Sequence, residues 1–325
     1  AVAFLAYYGY QTITTTAVTV NFAPKVQALS KTFTMTATSS TQNVDATNAL
    51  IPAREFVSDK SGTQSGRTTG RICTFGGIFG CQPAVSQFDV DNLVSQLRPA
   101  LQSQLEQALQ SKISGAGGTK IADATFNDVT ITSTPAVGQP GETVSVMLVE
   151  QGSVVYFVNA DAQNLARQLL ARQVTQLNSQ ANVHDVLVDS TVAIGKPTIT
   201  GINTASGQVT IAISAGGDLL YQFPSSFANS LKAQLKGMTV KNARAFLARQ
   251  QGIDPATIGI HFTVGSSDSL PGDIQRITIV PVNANGYPPV DLQPIPTAAL
   301  TPTTTATPPN NDNNPPNNNN NDNGN

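Results

Sequence analysis

Apolar residues in the middle of the chain recur first with the spacing of a helix and then with the spacing of strands. The first helical stripe takes every third or fourth position between Val90 and Leu109, which predicts an amphipathic helix. We expect Asp89 or Asp91 to cap its start, and Pro99 to kink or split it. The strand-like stretches that follow this helix are residues 124–132, 142–150 and 154–158.

The same order of helix and strands returns farther along the chain. A second stripe runs from Leu165 to Leu177 behind a cap at Asp161, a third begins at Phe227, and Thr239 can cap a further helix. The strands predicted after these helices are residues 186–192, 198–202, 208–214, 219–223, 258–264 and 274–282. Each element has one apolar face to bury, so we expect an α+β fold of two to three repeated units, each with a helix on a small antiparallel sheet.

The two ends of the chain differ from this middle part. Residues 13–66 are rich in β-branched residues and predict a β-rich segment, whereas the Gly-, Ser- and Thr-rich residues 58–70 predict a mobile loop. The last residues are Thr, Pro and Asn with few apolar side chains, which predicts disorder. The predicted domains are the end of a membrane anchor (1–12), the β-rich segment (13–66), a Gly-rich loop (67–84), three α+β units (85–158, 159–223 and 224–282) and a disordered tail (283–325).

The beginning of the chain is apolar and then aromatic, with Tyr7, Tyr8 and Tyr10 close together. Tyrosine concentrates where a membrane meets water, so this stretch predicts the outer end of a membrane helix and makes the membrane a partner. The first basic residue is Lys25, so the flank lacks the positive charge of a cytoplasmic side. A hydrophobic first strand of the folded protein is the alternative.

Two cysteines, Cys73 and Cys81, bracket a short loop that contains three glycines. Glycine lets such a loop fold back on itself, which predicts a disulfide formed in an oxidising compartment. Two free buried thiols are the alternative. We expect no zinc site, because zinc normally takes four ligands and both histidines are far away in the sequence.

Charge is scarce along the whole chain. Charged residues make up 12% of it and the net charge is −2, and Lys and Arg form no long run. Nucleic acid binding needs a clustered basic face, so we expect no nucleic-acid partner. The partners that we expect besides the membrane are other envelope or surface proteins, or a second copy of the chain paired through an exposed sheet edge.

Residues able to carry out catalysis are also scarce. His184 and Asp185 are adjacent, but neighbours in a strand point to opposite faces, and His261 falls on the polar face of its predicted strand. The carboxylates that cross-strand pairing can bring together are Asp123, Asp128, Glu142 and Glu150, and the sequence fixes no pair. No nucleophile, phosphate-loop or metal-ligand motif accompanies them, so we expect no catalytic residue, no metal and no cofactor, and hence no enzyme.

Short strings within residues 15–282 resemble a known family. They include Val18-Thr-Val-Asn-Phe-Ala-Pro24, Pro140-Gly-Glu-Thr-Val144 and Leu235-Lys-Gly-Met-Thr-Val240. In these strings the chain resembles the membrane-anchored, baseplate J-like proteins of Chloroflexi-type bacteria. The resemblance implies repeated α+β modules and a structural role, and it supplies no catalytic residues.

These patterns together predict an extracytoplasmic, membrane-anchored structural or interaction protein of the bacterial cell surface. One alternative is a component of a phage-like baseplate or contractile injection assembly. A second alternative is an envelope hydrolase with a cleft at His184 or His261.

Overall fold

The computed structural model describes residues 16–73, 80–181, 183–203, 208–282, 289–292 and 294–295. Within these ranges the chain is a mixed α+β protein with more residues in strands than in helices, which confirms the α+β class. The helices, α1 to α4, are Gln87–Gly115, Asn159–Ala181, Phe227–Leu235 and Val240–Leu247. The strands, β1 to β15, are Ala17–Phe22, Val26–Thr38, Leu50–Pro52, Arg54–Arg67, Gly70–Cys73, Cys81–Ala84, Gly118–Lys120, Thr125–Thr134, Thr143–Val158, Asp185–Leu187, Ala193–Ile194, Thr198–Asn203, Gln208–Tyr221, Gly259–Val264 and Ile277–Pro281.

The first unit is helix α1 packed on a sheet whose central strand is β9. One edge of β9 pairs antiparallel with all of β4, from Arg54↔Tyr156 to Arg67↔Thr143, and its other edge pairs with β8 and β7. Alternate residues of β9 are buried against the leucines of α1. Removal of these two apolar faces from water holds the helix on the sheet.

The second unit is helix α2 packed on a sheet whose central strand is β13. One edge of β13 pairs antiparallel with β2, and the other edge pairs in turn with β12, β11 and β10. Strand β3 extends the sheet by pairing parallel to β2. Ile211 and Ile213 of β13 are buried in one core with Leu165 and Leu170 of α2.

The third unit is the pair of helices α3 and α4 on a three-stranded sheet with β1 in the middle. β1 pairs antiparallel with β14 and parallel with β15. Val18, Val20 and Phe22 of β1 are buried in one core with Leu231 of α3 and Leu247 of α4.

The chain follows an out-and-back path: it contributes strands to all three units before the β5–β6 hairpin and supplies the remaining helices and strands after it. Strands β1, β2 and β4 belong in turn to the third, second and first sheets, whereas the helices and remaining long strands complete the first, second and third sheets in that order. The chain reverses at the β5–β6 hairpin. The predicted β-rich segment 13–66 therefore supplies strands to all three sheets, and the proposal that the units are repeats stays a prediction.

Two segments in which glycine suggested a break are continuous strands. The expected mobile loop at residues 58–70 is wrong, because β4 runs through most of it. A Cβ atom at Gly62 would lie 3.0 Å from Leu97 Cδ1, so glycine makes room for α1 on this strand. Strand β9 likewise runs through Gly152, over which the ring of Phe126 packs; the sequence predicted two separate strands here.

The start and the middle of α1 also differ from expectation. Ser86, and neither Asp89 nor Asp91, is the N-cap, because the Ser86 hydroxyl accepts the amide hydrogen of Asp89 at 3.2 Å. The predicted split at Pro99 is wrong, since α1 continues through it. Leu93 and Leu101, on either side of the proline, are buried in the same core, so both halves of the helix pack on the first sheet.

The predicted membrane partner is corrected. None of the helices in the described ranges combines the length and the apolar character needed to cross a bilayer. The residues that carried the prediction, 1–12, lie outside those ranges, so the membrane helix has no support in the structure.

The predicted disordered tail, 283–325, also lies outside the described ranges apart from residues 289–292 and 294–295. The amide of Val290 donates to the carbonyl of Thr191 at 3.2 Å. The Leu292 side chain lies on the second sheet, where it would be 3.2 Å from a Cβ atom at Gly216. Val290 and Leu292 of the predicted tail thus contact the second unit.

Candidate functional site

The β5–β6 hairpin is closed by a disulfide at the point where the chain reverses. Cys73 and Cys81 are directly opposite each other in the hairpin, with Cα atoms 4.2 Å apart, and they form the predicted bond. The loop residues between them, 74–79, lie outside the described ranges. The disulfide indicates an oxidising, extracytoplasmic environment.

This hairpin lies at the far end of the first sheet from the second unit. Strand β4 leaves the second unit at Arg54 and reaches the hairpin after Arg67, and fourteen residues of strand span roughly 45 Å. Loop residues hold the hairpin against the end of the sheet: the Val85 amide donates to the Gln139 carbonyl at 3.0 Å, and the Gly138 amide donates to the Val85 carbonyl at 2.8 Å.

The buried carboxylate of Asp89 ties this hairpin end to α1. It accepts hydrogen bonds from the amide and hydroxyl of Thr69 and from the amide and hydroxyl of Ser86, at 2.6 to 3.1 Å. Burial alone would raise the pKa of Asp89, but the bonds from the Thr69 and Ser86 side chains and amides outweigh burial and hold the pKa well below its ordinary value. Asp89 is therefore a charged clamp that joins the link before β5 to the first turn of α1.

A second polar cluster lies between α1 and the middle of the first sheet. Asp128 of β8 and Glu150 of β9 are directly opposite each other. The sequence had named both as possible cross-strand neighbours without fixing the pair. Arg98 of α1 forms an ion pair with Asp128, and its hydrogen bond to that carboxylate raises the pKa of Arg98. Gln102, one turn farther along α1, donates to Glu150 Oε1 at 2.7 Å.

Glu150 occupies a position in β9 where the neighbouring inward residues are apolar. It is 1% exposed, and its Oε2 atom is buried without a hydrogen-bond partner among the described residues. A buried carboxylate with an unpaired oxygen is destabilising unless its charge is balanced nearby. Arg98, whose pKa the charge of Glu150 also raises, supplies that balance, so the cluster acts as one unit.

The other two carboxylates of that set have separate partners. Asp123 forms an ion pair with Lys120 at 2.8 Å, and this contact lowers the pKa of Asp123. Glu142 contributes its backbone carbonyl, which accepts the amide hydrogen of Thr68 at 3.0 Å. The four predicted carboxylates therefore do not form one site.

Strand β4 leaves one long edge of the first sheet unpaired by any strand that the structure describes. The bond from Thr68 to Glu142 fixes which residues face β9: the even-numbered residues of β4 bond to β9, and the odd-numbered residues point their backbone groups away from it. The carbonyl of Val57 follows this rule, because it accepts from Lys112 Nζ of α1 at 3.1 Å on the outer side. We call this row of outward groups, from Glu55 to Arg67, the open edge.

A groove of about 620 Å³ lies where the second unit meets the third. Asp185 and Tyr221 line it from the second unit, and Gln250 and Asp254 line it from the third. The His184 side chain is exposed, and its backbone carbonyl accepts the Gln222 amide at 2.8 Å. Val26, Leu219 and Ile253 line the groove as well, so its lining is mixed, and the sequence pair His184–Asp185 does not form a His–carboxylate contact in it.

His261 is exposed on the outer face of the third sheet, as its strand pattern predicted. It is directly opposite Thr19, and Asn21, two residues farther along β1, has a buried Oδ1 atom without a hydrogen-bond partner among the described residues. No group of three or more His, Cys, Asp or Glu side chains within the described ranges is arranged to hold a metal ion.

Comparisons of the chain with protein-family models, with curated proteins and with solved structures find no match. The geometry defines the class of the protein as a three-unit α+β protein with a disulfide-closed end and an open sheet edge. The baseplate J-like resemblance stays a prediction.

Sequence reasoning found the disulfide but missed the open edge and the Asp89 clamp. The open edge was hidden because β4 is rich in Ser, Gly and Thr, which are residues typical of loops. The clamp had a local signal, since Ser86 followed three residues later by an acidic residue matches a capping box with Asp in place of Glu.

Proposed function

We propose that the protein is an extracytoplasmic structural or interaction protein of the bacterial cell surface, in which three α+β modules hold a disulfide-closed hairpin at the far end of the first unit. The observation that carries this proposal is the out-and-back path, which puts the Cys73–Cys81 hairpin about one full β4 length beyond the second unit. Such an arrangement presents the surface around the hairpin at a distance from the second unit.

The surface chemistry supports a role in contact rather than in catalysis. No helix of the described ranges covers the outer face of the first sheet, which carries polar contacts such as the Thr125–Ser153 pair at 2.9 Å and the Gln151–Asp59 bond at 2.9 Å. Exposed Val57 and Met147 lie on the same face. The two imidazoles are on different units, and both are exposed. We propose on this basis that the chain does not act as an enzyme.

The three units also support the proposal that they are modules of one kind. In the first two, a helix is followed by short strands along one edge of a long strand, and a strand from residues 26–67 lies along the other edge. The third unit also has an early strand, β1, but two helices lie on its sheet, and β1 pairs parallel with β15. We infer divergent copies of one helix-and-sheet module.

Fractionation of native cells with an antibody against the chain tests the location. We expect the chain in the envelope or extracellular fraction, with Cys73 and Cys81 oxidised and with the chain cleaved when protease is added to intact cells. A chain found in the cytosol with both thiols reduced would contradict the proposal.

The resemblance to baseplate J-like proteins favours a second candidate, a part of a phage-like baseplate or contractile injection assembly. That candidate predicts sedimentation as a large ring and co-purification with sheath or tube proteins. The same fractionation, followed by sedimentation of the particulate material, separates it from a protein that is simply displayed at the surface.

A further inference from the structure

We propose that the open edge of β4 pairs antiparallel with the open edge of a second copy, with Ser61 on the two-fold axis, so that two first sheets join into one. This inference deepens the proposed interaction role by naming the partner. A chain that is at the cell surface but monomeric would overturn the pairing and leave the proposed location intact.

The length and regularity of the open edge favour a strand as its occupant. Its outward backbone groups belong to Glu55, Val57, Asp59, Ser61, Thr63, Ser65 and Arg67. A row of N–H and C=O groups without a strand partner is a template for another strand. One of them, the Val57 carbonyl, accepts from Lys112 Nζ and would exchange that bond for one to the second copy. Within the described ranges no strand of the chain itself occupies it.

The length of β4 and its charges together favour one register for a second copy. With Ser61 opposite its own copy, all seven outward residues find partners, and Glu55 lies opposite Arg67 of the second copy at both ends. Neither Glu55 nor Arg67 forms an ion pair within the described ranges. Shifting the axis to Asp59 or Lys60 instead places two like charges opposite each other, which is unfavourable.

The position of α1 leaves space for the helix of the second copy. α1 lies over both β4 and β9, because it packs on Gly62 of β4 and on Val146 of β9. With strands about 4.8 Å apart, the two α1 axes would be separated by roughly 10 Å, within the usual range for packed helices.

The flank of α1 that would face this second helix is uncharged between Leu97 and Lys112. Leu97 and Lys112 both reach β4, and the residues at helical spacing between them are Ala100, Gln104 and Ala108. Alanine at two of these positions permits close approach of two helices without burying charge.

Sedimentation velocity of the oxidised full chain tests the pairing. We expect a dimer for the wild type, and Arg67→Glu should weaken dimerisation on the order of tenfold or more because it puts two carboxylates opposite each other at both ends. Combining Glu55→Arg with Arg67→Glu exchanges the charges and should restore the dimer. Lys241→Glu, an equal change of charge on α4, should leave it unaffected.

Cross-linking tests the register. At a directly opposite hydrogen-bonded pair the Cα atoms are about 5.5 Å apart, so Ser61→Cys should give a disulfide-linked dimer on mild oxidation. Ser65→Cys is the control, because its two copies would be roughly 27 Å apart and should not cross-link. A monomeric wild type, a charge exchange that fails to restore the dimer, or cross-linking through residue 65 in place of residue 61 would each overturn the proposal.

Discussion

At the scale of single residues, the carboxylate of Asp89 contributes more than its place in the helix suggests. It accepts hydrogen bonds from four donors that belong to Thr69 and Ser86, and those residues belong to two different segments. Hydrogen bonds to a charged acceptor are stronger than neutral ones. One side chain therefore fixes both the start of α1 and the approach to the disulfide hairpin.

We predict that Asp89→Asn lowers the free energy of unfolding by on the order of 2 kcal/mol at neutral pH, because an amide cannot accept all of these bonds. The native pKa of Asp89 lies below its unfolded value, so its stabilisation is complete above the unfolded pKa of about 4 and is lost as the pH falls toward the native pKa. Urea unfolding at several pH values checks this. The variant should lose less stability than the wild type on acidification, and an equal loss in both would contradict the assignment.

Gly252 combines two reasons for being glycine. Its φ angle is +82°, and a Cβ atom there would lie 2.0 Å from Tyr221 Cδ1. We predict that Gly252→Ala destabilises the chain by at least about 2 kcal/mol, through backbone strain and displacement of the ring.

The matched control for this change is Gly237→Ala. Gly237 has a φ angle of +68°, and apart from its chain neighbours no atom of the described residues lies within 4 Å of the added Cβ. This change should therefore cost only the backbone strain, about 1 kcal/mol. Thermal unfolding of both variants separates the two terms. Equal losses of stability would mean that the Tyr221 ring moves away freely.

At the scale of elements, the sequence predicted the helices better than the strands. The stripe from Val90 to Leu109 placed α1 correctly because helical spacing is a local property of the sequence. Glycine misled the strand predictions at Gly62 and Gly152, since the reason for each glycine is a side chain from another element packed over it. No local pattern signals such a contact.

The polar cluster illustrates the same limit. The sequence named Asp128 and Glu150 as potential neighbours but fixed no pair. Their pairing depends on the register between β8 and β9, and that register shifts at a bulge between Asp128 and Thr130. A one-residue slip moves side chains to the opposite face, so only the folded sheet decides which carboxylates meet.

We predict that Gly62→Val destabilises the first unit by about 1–3 kcal/mol although valine favours strands, because the added atoms push against Leu97 and Leu101 of α1. Thr63→Val, on the exposed outer face of the same strand, is the control and should change stability by less than about 0.5 kcal/mol. Chemical denaturation of the two variants measures the difference. Similar values would mean that α1 does not pack closely on Gly62.

At the scale of the whole molecule, the order of strand pairing decides which parts of the chain depend on one another. Residues 54–158 contain every strand of the first sheet together with α1. The second sheet needs β2 and β3, and the third needs β1, and all three precede the first unit in the chain. Pairing over such long separations closes large loops and slows folding.

The sequence could not predict this out-and-back order of strand pairing. The alternating and β-branched residues of β1 and β2 predicted strands there, yet their antiparallel partners are more than 150 residues away. The alternation specifies a buried face and not the strand beside it. The sequence therefore predicted a separate β-rich segment where the structure has one strand or more from it in every sheet.

The most direct test of the out-and-back path compares two fragments of the chain, residues 54–158 and residues 159–282, by circular dichroism and urea unfolding. The first fragment contains a complete sheet and helix, so we predict that it folds and unfolds cooperatively. The second lacks β1 and β2, and with them the buried side chains of Phe22 and Met35, so we predict no cooperative transition. A cooperative transition in residues 159–282 alone would contradict the out-and-back path on which the proposed function depends.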